Sequence, residues 1–363
     1  MAKFVCPFCI RDYNVNKVLY VCPDCGETTP KSKEPVKCKK GGCGGLATQR
    51  KCPMCGQEVP KMALETPNLP FCIVGVSNSG KTNYITVMLH ELGKASSLRL
   101  ALGSQNKETR DHQNENYKRI YEDHTRPEST AAGENMPQIW YIKNLLKKRG
   151  GNVPTYTFTI FDGAGEDYEN NLDTSSTVCR YINTSKAIII TLDPLILSNI
   201  RKGGVVDENI MRNSLAGSEG ETKNAADVVN SLASYIKQAR GIKETKILPI
   251  PVAVVLTKFD TIISHKSFAS NALIKSPSLN VTDGKVNLGE IKQVDEEIRN
   301  WLYEIGEGSF IESLTSNFKE FAFFGVSSYG EPPLDAVTLS DHIRPHRVLD
   351  PVLWLFKKSK FID

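Results

Sequence analysis

Two rhythms of apolar and polar residues alternate along most of this chain. Phe71-Cys72-Ile73-Val74 is a short apolar run of strand character, and a helical repeat over 83–92 follows it. Residues 156–161 alternate with a period of two, and further strand-like runs occur at 187–192, 250–256 and 321–326. Amphipathic helical periods cover 225–240 and 290–305, and the apolar run 351–356 is expected to pack as the last helix. Strands that alternate with helices over 67–363 predict an α/β domain of three layers around a mainly parallel sheet. Two polar stretches, 201–224 and 264–289, interrupt the pattern and read as mobile loops. Residues 1–66 carry few large apolar side chains and form a separate small module.

That module holds eight of the ten cysteines, as Cys6-Pro7-Phe8-Cys9, Cys22-Pro23-Asp24-Cys25-Gly26, Cys38 with Cys43, and Cys52-Pro53-Met54-Cys55-Gly56. Two thiolates two residues apart reach one zinc ion, while the amides of the tight turn point at the sulfurs. Sequential pairing puts Cys6, Cys9, Cys22 and Cys25 on one Zn²⁺ and Cys38, Cys43, Cys52 and Cys55 on a second, giving tandem zinc ribbons; interleaved pairing is the alternative. Metal would then supply much of the stability of so small a unit. The other two, Cys72 and Cys179, stand apart, and Cys72 reads as a small buried hydrophobe.

Charge alters this picture little. The chain carries +4 in 363 residues, too weak to imply nucleic acid or membrane. Residues 1–65 hold 11 Lys/Arg against 6 Asp/Glu, or +5, and the rest 34 against 35, or −1. Two Cys₄ zinc sites would each add about −2, so the basic excess is largely counter-charge. Lys31, Lys33, Lys37, Lys39 and Lys40 leave nucleic-acid contact open, but no aromatic residue is interleaved to stack bases. No secretory leader pattern and no apolar run of membrane-spanning length is present, so a cytoplasmic location and paired cysteines serving as metal ligands are expected.

The candidate chemistry lies after the first apolar run, where Gly75-Val76-Ser77-Asn78-Ser79-Gly80-Lys81-Thr82 sits between a strand and a helix. Glycines let backbone N–H groups wrap phosphates, and the helix N-terminus favours the anion. In such a loop Lys81 reaches the β- and γ-phosphates, Thr82 binds Mg²⁺, and Gly75, Ser77, Asn78, Ser79 and Gly80 form the cradle. The strand 156–161 ends in Asp162-Gly163-Ala164-Gly165-Glu166, so Asp162 can hold Mg²⁺ through water and Gly165 can offer its N–H to the γ-phosphate. The strand 250–256 runs into Thr257-Lys258-Phe259-Asp260. A carboxylate there accepts from guanine N1–H and the N2 amino group, a donor pair that adenine lacks, and the Lys258 stem can lie across the base. After 321–326, Ser327-Ser328-Tyr329 can reach the guanine oxygen through backbone N–H.

Taken in order, GVSNSGKT, DGAG, TKFD and Ser327-Ser328 resemble the first, third, fourth and fifth boxes of Ras-like and translation-factor-related GTPases, with Thr257 in place of the usual Asn. Zinc ribbons ahead of such a domain, TLDP at 191–194 and DPVLWLF at 350–356 resemble, more narrowly, the prokaryotic double-GTPase families of conflict and defence clusters. The resemblance implies a P-loop NTPase fold (a G domain), GTP/GDP and Mg²⁺ as ligands, and a second GTPase or other protein as partner, with a nucleotide-dependent dimer in scope.

Where Ras-like enzymes carry a water-orienting Gln, this chain has Glu166, whose charge opposes the γ-phosphate, so slow intrinsic hydrolysis is expected. The threonine that closes over Mg²⁺ should fall in the polar insertion 95–150, where Thr109, Thr125 and Thr130 compete and Thr130 is favoured. Asn78 within GxxNxGK[ST] resembles GTPases that use K⁺ beside the phosphates, against the plainer reading of a polar loop residue. A rival function is an ATPase that grips nucleic acid through its zinc ribbons, and a third is nucleotide binding without cleavage. The six histidines show no ligand pattern and read as surface or packing residues.

Overall fold

The computed structural model describes residues 3–30, 35–75, 78–127, 137–147, 151–162, 177–202, 206–215, 224–279, 281–282 and 285–362. The first part comprises strands β1 (Lys3–Val5), β2 (Asp12–Asn14), β3 (Leu19–Val21), β4 (Thr28–Pro30) and β5 (Gln49–Lys51), then helix α1 (Lys61–Glu65). The larger part runs β6 (Asn68–Gly75), α2 (Lys81–Lys94), β7 (Leu100–Ser104), α3 (Lys107–Tyr121), β8 (Gln138–Asn144), β9 (Thr155–Asp162), α4 (Thr177–Thr184), β10 (Ala187–Leu192), α5 (Ser198–Lys202), α6 (Glu208–Leu215) and α7 (Ala225–Ala239). It continues through β11 (Leu248–Leu256), β12 (Val281–Thr282), β13 (Lys285–Val286), α8 (Leu288–Glu304), α9 (Gly308–Asn317), β14 (Phe318–Gly325) and α10 (Asp350–Lys358).

Seven strands form one sheet in the order β14-β11-β10-β6-β9-β8-β7. The five from β14 to β9 are parallel, and β8 and β7 add antiparallel at one edge. Its strands are apolar on both faces because helices cover both, as parallel sheets require. Along β6, Phe71 and Ile73 pack with residues of α2 and α10, while Cys72 and Val74 face the opposite layer with α4, α7 and α9. The three-layer α/β fold is therefore present.

β6 lies between β10 and β9. From β6 the chain first builds the β7-β8-β9 side and then the β10-β11-β14 side. Such a reversal opens a crevice at the carboxyl ends of the strands, where ligands bind in open α/β sheets.

The two polar stretches are not bare loops. The first holds α6, whose N-terminus is capped by Asp207 accepting from the N–H groups of Asn209 and Ile210 at 2.9 and 3.3 Å. The second holds the β12–β13 hairpin and a tight turn at Leu273–Lys275. There Glu297 of α8 accepts from the Leu273 and Ile274 amides at 2.8 and 2.9 Å, which a local composition reading cannot foresee. The insertion 95–150 contains β7 and α3. Its helix buries Thr109, Gln113 and Asn116 beside Ile120, a single buried aliphatic residue in place of an apolar stripe, and Gln113 donates to the Thr86 carbonyl of α2 at 2.9 Å.

Candidate functional site

The loop after β6 owes its shape to contacts from two other strands. A Cβ on Gly75 would fall 2.1 Å from the Thr191 hydroxyl of β10, so only glycine lets the strands approach there. Asn78 and Gly80 take positive φ values of 59° and 76°, a conformation that glycine and asparagine tolerate best. Ser79 is fully buried, its hydroxyl 2.8 Å from the Thr191 hydroxyl, so it has only its backbone to offer a ligand. Thr257, just past β11, donates to the Ser79 carbonyl at 2.7 Å and thereby holds the loop. Lys81, at the start of α2, lies inside the loop with its ammonium donating to the Gly75 carbonyl at 3.1 Å. Thr82 follows in the first turn of the same helix.

Across the sheet, β9 pairs with β6 so that Asp162 sits opposite Ile73, two residues before Gly75. Only its backbone is described. Ser77, Thr130, Gly163, Gly165 and Glu166 lie outside the described residues. Of the competing threonines, Thr109 is buried on α3 and accepts from the Ile139 N–H at 2.9 Å, while Thr125 forms a bridge with Thr338.

A pocket with about 50 Å³ of enclosed space, open to solvent, joins Gly80 and Asn83 at the start of α2 to Thr257, Lys258 and Asp260 and to Ser327, Ser328 and Tyr329. The loops after β11 and β14 are sewn together, Phe259 N–H to Val326 carbonyl at 3.0 Å and Val326 N–H to Leu256 carbonyl at 2.9 Å. Asp260 borders the pocket mouth yet is ringed by protein. Burial pushes its pKa up, opposed by the Ser327 hydroxyl and by its own amide. Ser327 itself is committed, its N–H donating to the His346 carbonyl at 3.1 Å, which leaves the Ser328 and Tyr329 amides for a ligand oxygen. Lys258 stands at φ 50° and sends its ammonium to Asp193 at 2.6 Å and to the Ser214 carbonyl at 2.8 Å. The Asp193 of TLDP, only 2% exposed, thus fixes the lysine stem along the pocket wall, a role its sequence position did not announce.

Three further polar atoms at this pocket, Arg126 Nε, Ser214 Oγ and Tyr329 Oη, are buried and have no partner among the described residues. Orphaned polar atoms of this kind fit a pocket built for a polar ligand. Arg126 and Ser214 stand in no recognisable motif, and only tertiary structure brings them beside Tyr329.

The cysteines form two tetrads, Cys6, Cys9, Cys52 and Cys55, and Cys22, Cys25, Cys38 and Cys43. The expected sequential pairing is therefore replaced by a nested one: the outer two knuckles share one site and the inner two the other. The cause is the antiparallel pairing of β3 with β5, Leu19 opposite Lys51 and Val21 opposite Gln49. Cys22 follows β3 and Cys52 follows β5, so the two knuckles leave opposite ends of the sheet. In the first tetrad Cys6 and Cys55 sulfurs lie 3.9 Å apart and Cys9 and Cys52 3.8 Å. In the second, Cys22 and Cys43 are 3.7 Å apart and Cys25 and Cys38 3.5 Å. A tetrahedral Zn–S₄ centre with bonds near 2.3 Å has edges of about 3.8 Å, so both sets fit zinc. Burial and neighbouring thiols push the Cys6 thiol up, a cost that a bound dication reverses. At the second tetrad a Cβ on Gly45 would strike Asp24 and crowd two sulfurs.

The cysteine module packs onto the sheet. Ile139 of β8 joins its apolar cluster, Ile10 joins the cluster containing Tyr181 of α4, and the Tyr181 hydroxyl donates to the Pro7 carbonyl. Among the described residues, no helix is long and apolar enough to cross a membrane. His90 packs at a tilt against the Tyr117 and Tyr121 rings, and burial lowers its pKa to about 4, in keeping with packing.

No protein-family model matches this chain, and no curated protein sequence does. Among solved structures it is similar to the signal recognition particle receptor SRb-GTP/SRX complex from Chaetomium thermophilum, at 13% identity and TM-score 0.31 over 74% of this chain and 94% of that one. It is also similar to a nucleolar GTP-binding protein 1 from Plasmodium falciparum, at 11% identity and TM-score 0.30 over 84% and 91%. A third is the GTP-bound GTPase-like domain of Ski7 from S. cerevisiae, at 14% identity and TM-score 0.30 over 72% of this chain and 43% of that one.

Proposed function

We propose that this chain binds guanine nucleotides and hydrolyses GTP as a molecular switch. The observation that carries the reading is a single pocket shared by Gly80 and Asn83 on one side and by Asp260 and Ser327–Tyr329 on the other. A purine seated there has its phosphates at the loop Gly75–Thr82 and its N1–H and N2 edge at a carboxylate. Lys81 neutralises β- and γ-phosphate charge, and the amides of the loop and of the α2 N-terminus bind the oxygens. Thr82 and Asp162 are the residues to hold Mg²⁺, which when bound would screen the same oxygens. Gly165 and Thr130 supply γ-phosphate and Mg²⁺ contacts that change on hydrolysis. Glu166 orients water against its own repulsion from the phosphate, so turnover is slow without a partner.

The narrower reading, a defence-cluster protein working with a second GTPase, rests on the resemblance of TLDP and DPVLWLF, as does a nucleotide-dependent dimer. The zinc module offers the docking element for a protein partner, with nucleic acid as the alternative. Calorimetric titration of GDP, GTP, ADP and ATP, with phosphate release in NaCl and in KCl, tests the scheme. Guanine nucleotides should bind and adenine nucleotides should not. Tighter ATP binding with stimulation by DNA or RNA would instead establish the ATPase rival, and equal rates in Na⁺ and K⁺ would remove Asn78 as a K⁺ ligand.

A further inference from the structure

The rim of the base pocket is closed by segments that lie far from one another in sequence, and one side chain ties them. Arg126, shortly after α3, donates from Nη2 to the Asn213 carbonyl of α6 at 2.8 Å and to the Asp335 carbonyl at 3.4 Å. Its own N–H bonds the Val337 carbonyl at 2.9 Å, and Asn213 donates to the Leu334 carbonyl at 2.9 Å, completing the ring. A guanidinium serving only as a staple would have its donors satisfied. Here Nε is buried with no partner among the described residues, one Nη2 bond is long, and the group lines the same pocket as Lys258 and Asp260. Lys258 is already neutralised by Asp193, so a second cation at the pocket meets no uncompensated like charge.

We propose that Arg126 is the lid of the base pocket: its planar guanidinium covers the purine face opposite the Lys258 stem, and its clasp on α6 and the 334–337 segment sets how fast nucleotide leaves. Guanidinium planes stack on nucleobases and gain a cation–π term that strengthens when desolvated. The inference rests on the guanine-nucleotide reading and adds to it a positioning residue outside every recognised motif. Since the rim must part for the base to escape, the lid acts mainly on dissociation.

The experiment is a stopped-flow chase of a fluorescent GDP analogue from the full-length, zinc-loaded protein. Arg126→Ala should release it about ten- to a hundredfold faster, the size of a desolvated stacking contact. Arg126→Met, which keeps the stem and volume but not the plane, should behave alike, and Arg126→Lys should recover little of the loss. The acceleration should be the same for an inosine diphosphate analogue, which keeps the ring plane and lacks the N2 amino group read by Asp260. Wild-type release rates in both Arg126→Ala and Arg126→Met would overturn the proposal, even if their melting temperatures fell. Failure of the wild-type protein to bind the GDP analogue at all would overturn the guanine-nucleotide reading instead.

Discussion

Replacing Asp260 by Asn keeps the shape of the pocket wall and removes its charge, and two properties should then move in opposite directions. Guanine would lose a carboxylate accepting from N1–H and N2–H and meet an amide that turns an NH₂ donor toward one of them. Hydrogen bonds to charged groups contribute about 1.5–3 kcal/mol each, so the pair is worth about 3–6 kcal/mol, or roughly 10² to 10⁴ in affinity for GTP. ATP, which offers no such donor pair, should be held as poorly as by the wild-type protein. A xanthine nucleotide, with a carbonyl at C2, should gain. Stability should move the other way. Burial holds the folded pKa of Asp260 above its ordinary value. A group raised in this sense contributes stability that is complete below its unfolded pKa and is lost as pH rises through the folded pKa, so at pH 7 this carboxyl weakens the nucleotide-free fold. Asp260→Asn, dialysed free of nucleotide, should therefore melt above wild type at pH 7, with the gap closing as the buffer is taken towards pH 4. Calorimetry with guanine, adenine and xanthine nucleotides and a pH series of melting curves read both effects. An unchanged GTP-to-ATP affinity ratio would refute the reasoning.

Zinc stoichiometry should follow the nested pairing: by elemental analysis the double change Cys6→Ser with Cys55→Ser should leave one zinc per chain, whereas sequential pairing would cost both. Gly75→Ala drives a methyl into Thr191 of the neighbouring strand, which should cost about 1–3 kcal/mol of stability in denaturant melts and abolish nucleotide binding. Asp193→Ala strips the carboxylate from an ion pair whose lysine is 23% exposed and keeps a carbonyl partner. Roughly 3 kcal/mol should be lost, at the low end for a broken buried pair, together with much of the GTP affinity.

The five parallel strands were legible because each is an apolar or alternating run bounded by polar or glycine-bearing segments, and the structure extends them by at most three residues at either end. What stayed hidden were elements whose contacts are not apolar. The Gln113 bond from α3 to α2 and the hold of Glu297 on the turn at Leu273 are polar, and a hydrophobic pattern carries no trace of either. Thr257 and Asp193 stood in motifs noticed for other reasons. Their observed work, steadying Ser79 and Lys258, depends on neighbours from β10 and β11 that are adjacent only in the sheet.

By itself the sequence determined the chemistry available: a glycine-rich loop between strand and helix, a carboxylate after a later strand, and eight thiols in closely spaced pairs. These are local properties, fixed by residue type and spacing within a few positions. Only the tertiary structure decided which of them meet. Strand order brings Gly80, Asp260 and Ser328 to one pocket and lays Arg126 at its rim, and the antiparallel β3–β5 pair sends Cys22 and Cys52 to different metal sites, because partners across a sheet are chosen by packing rather than by distance along the chain.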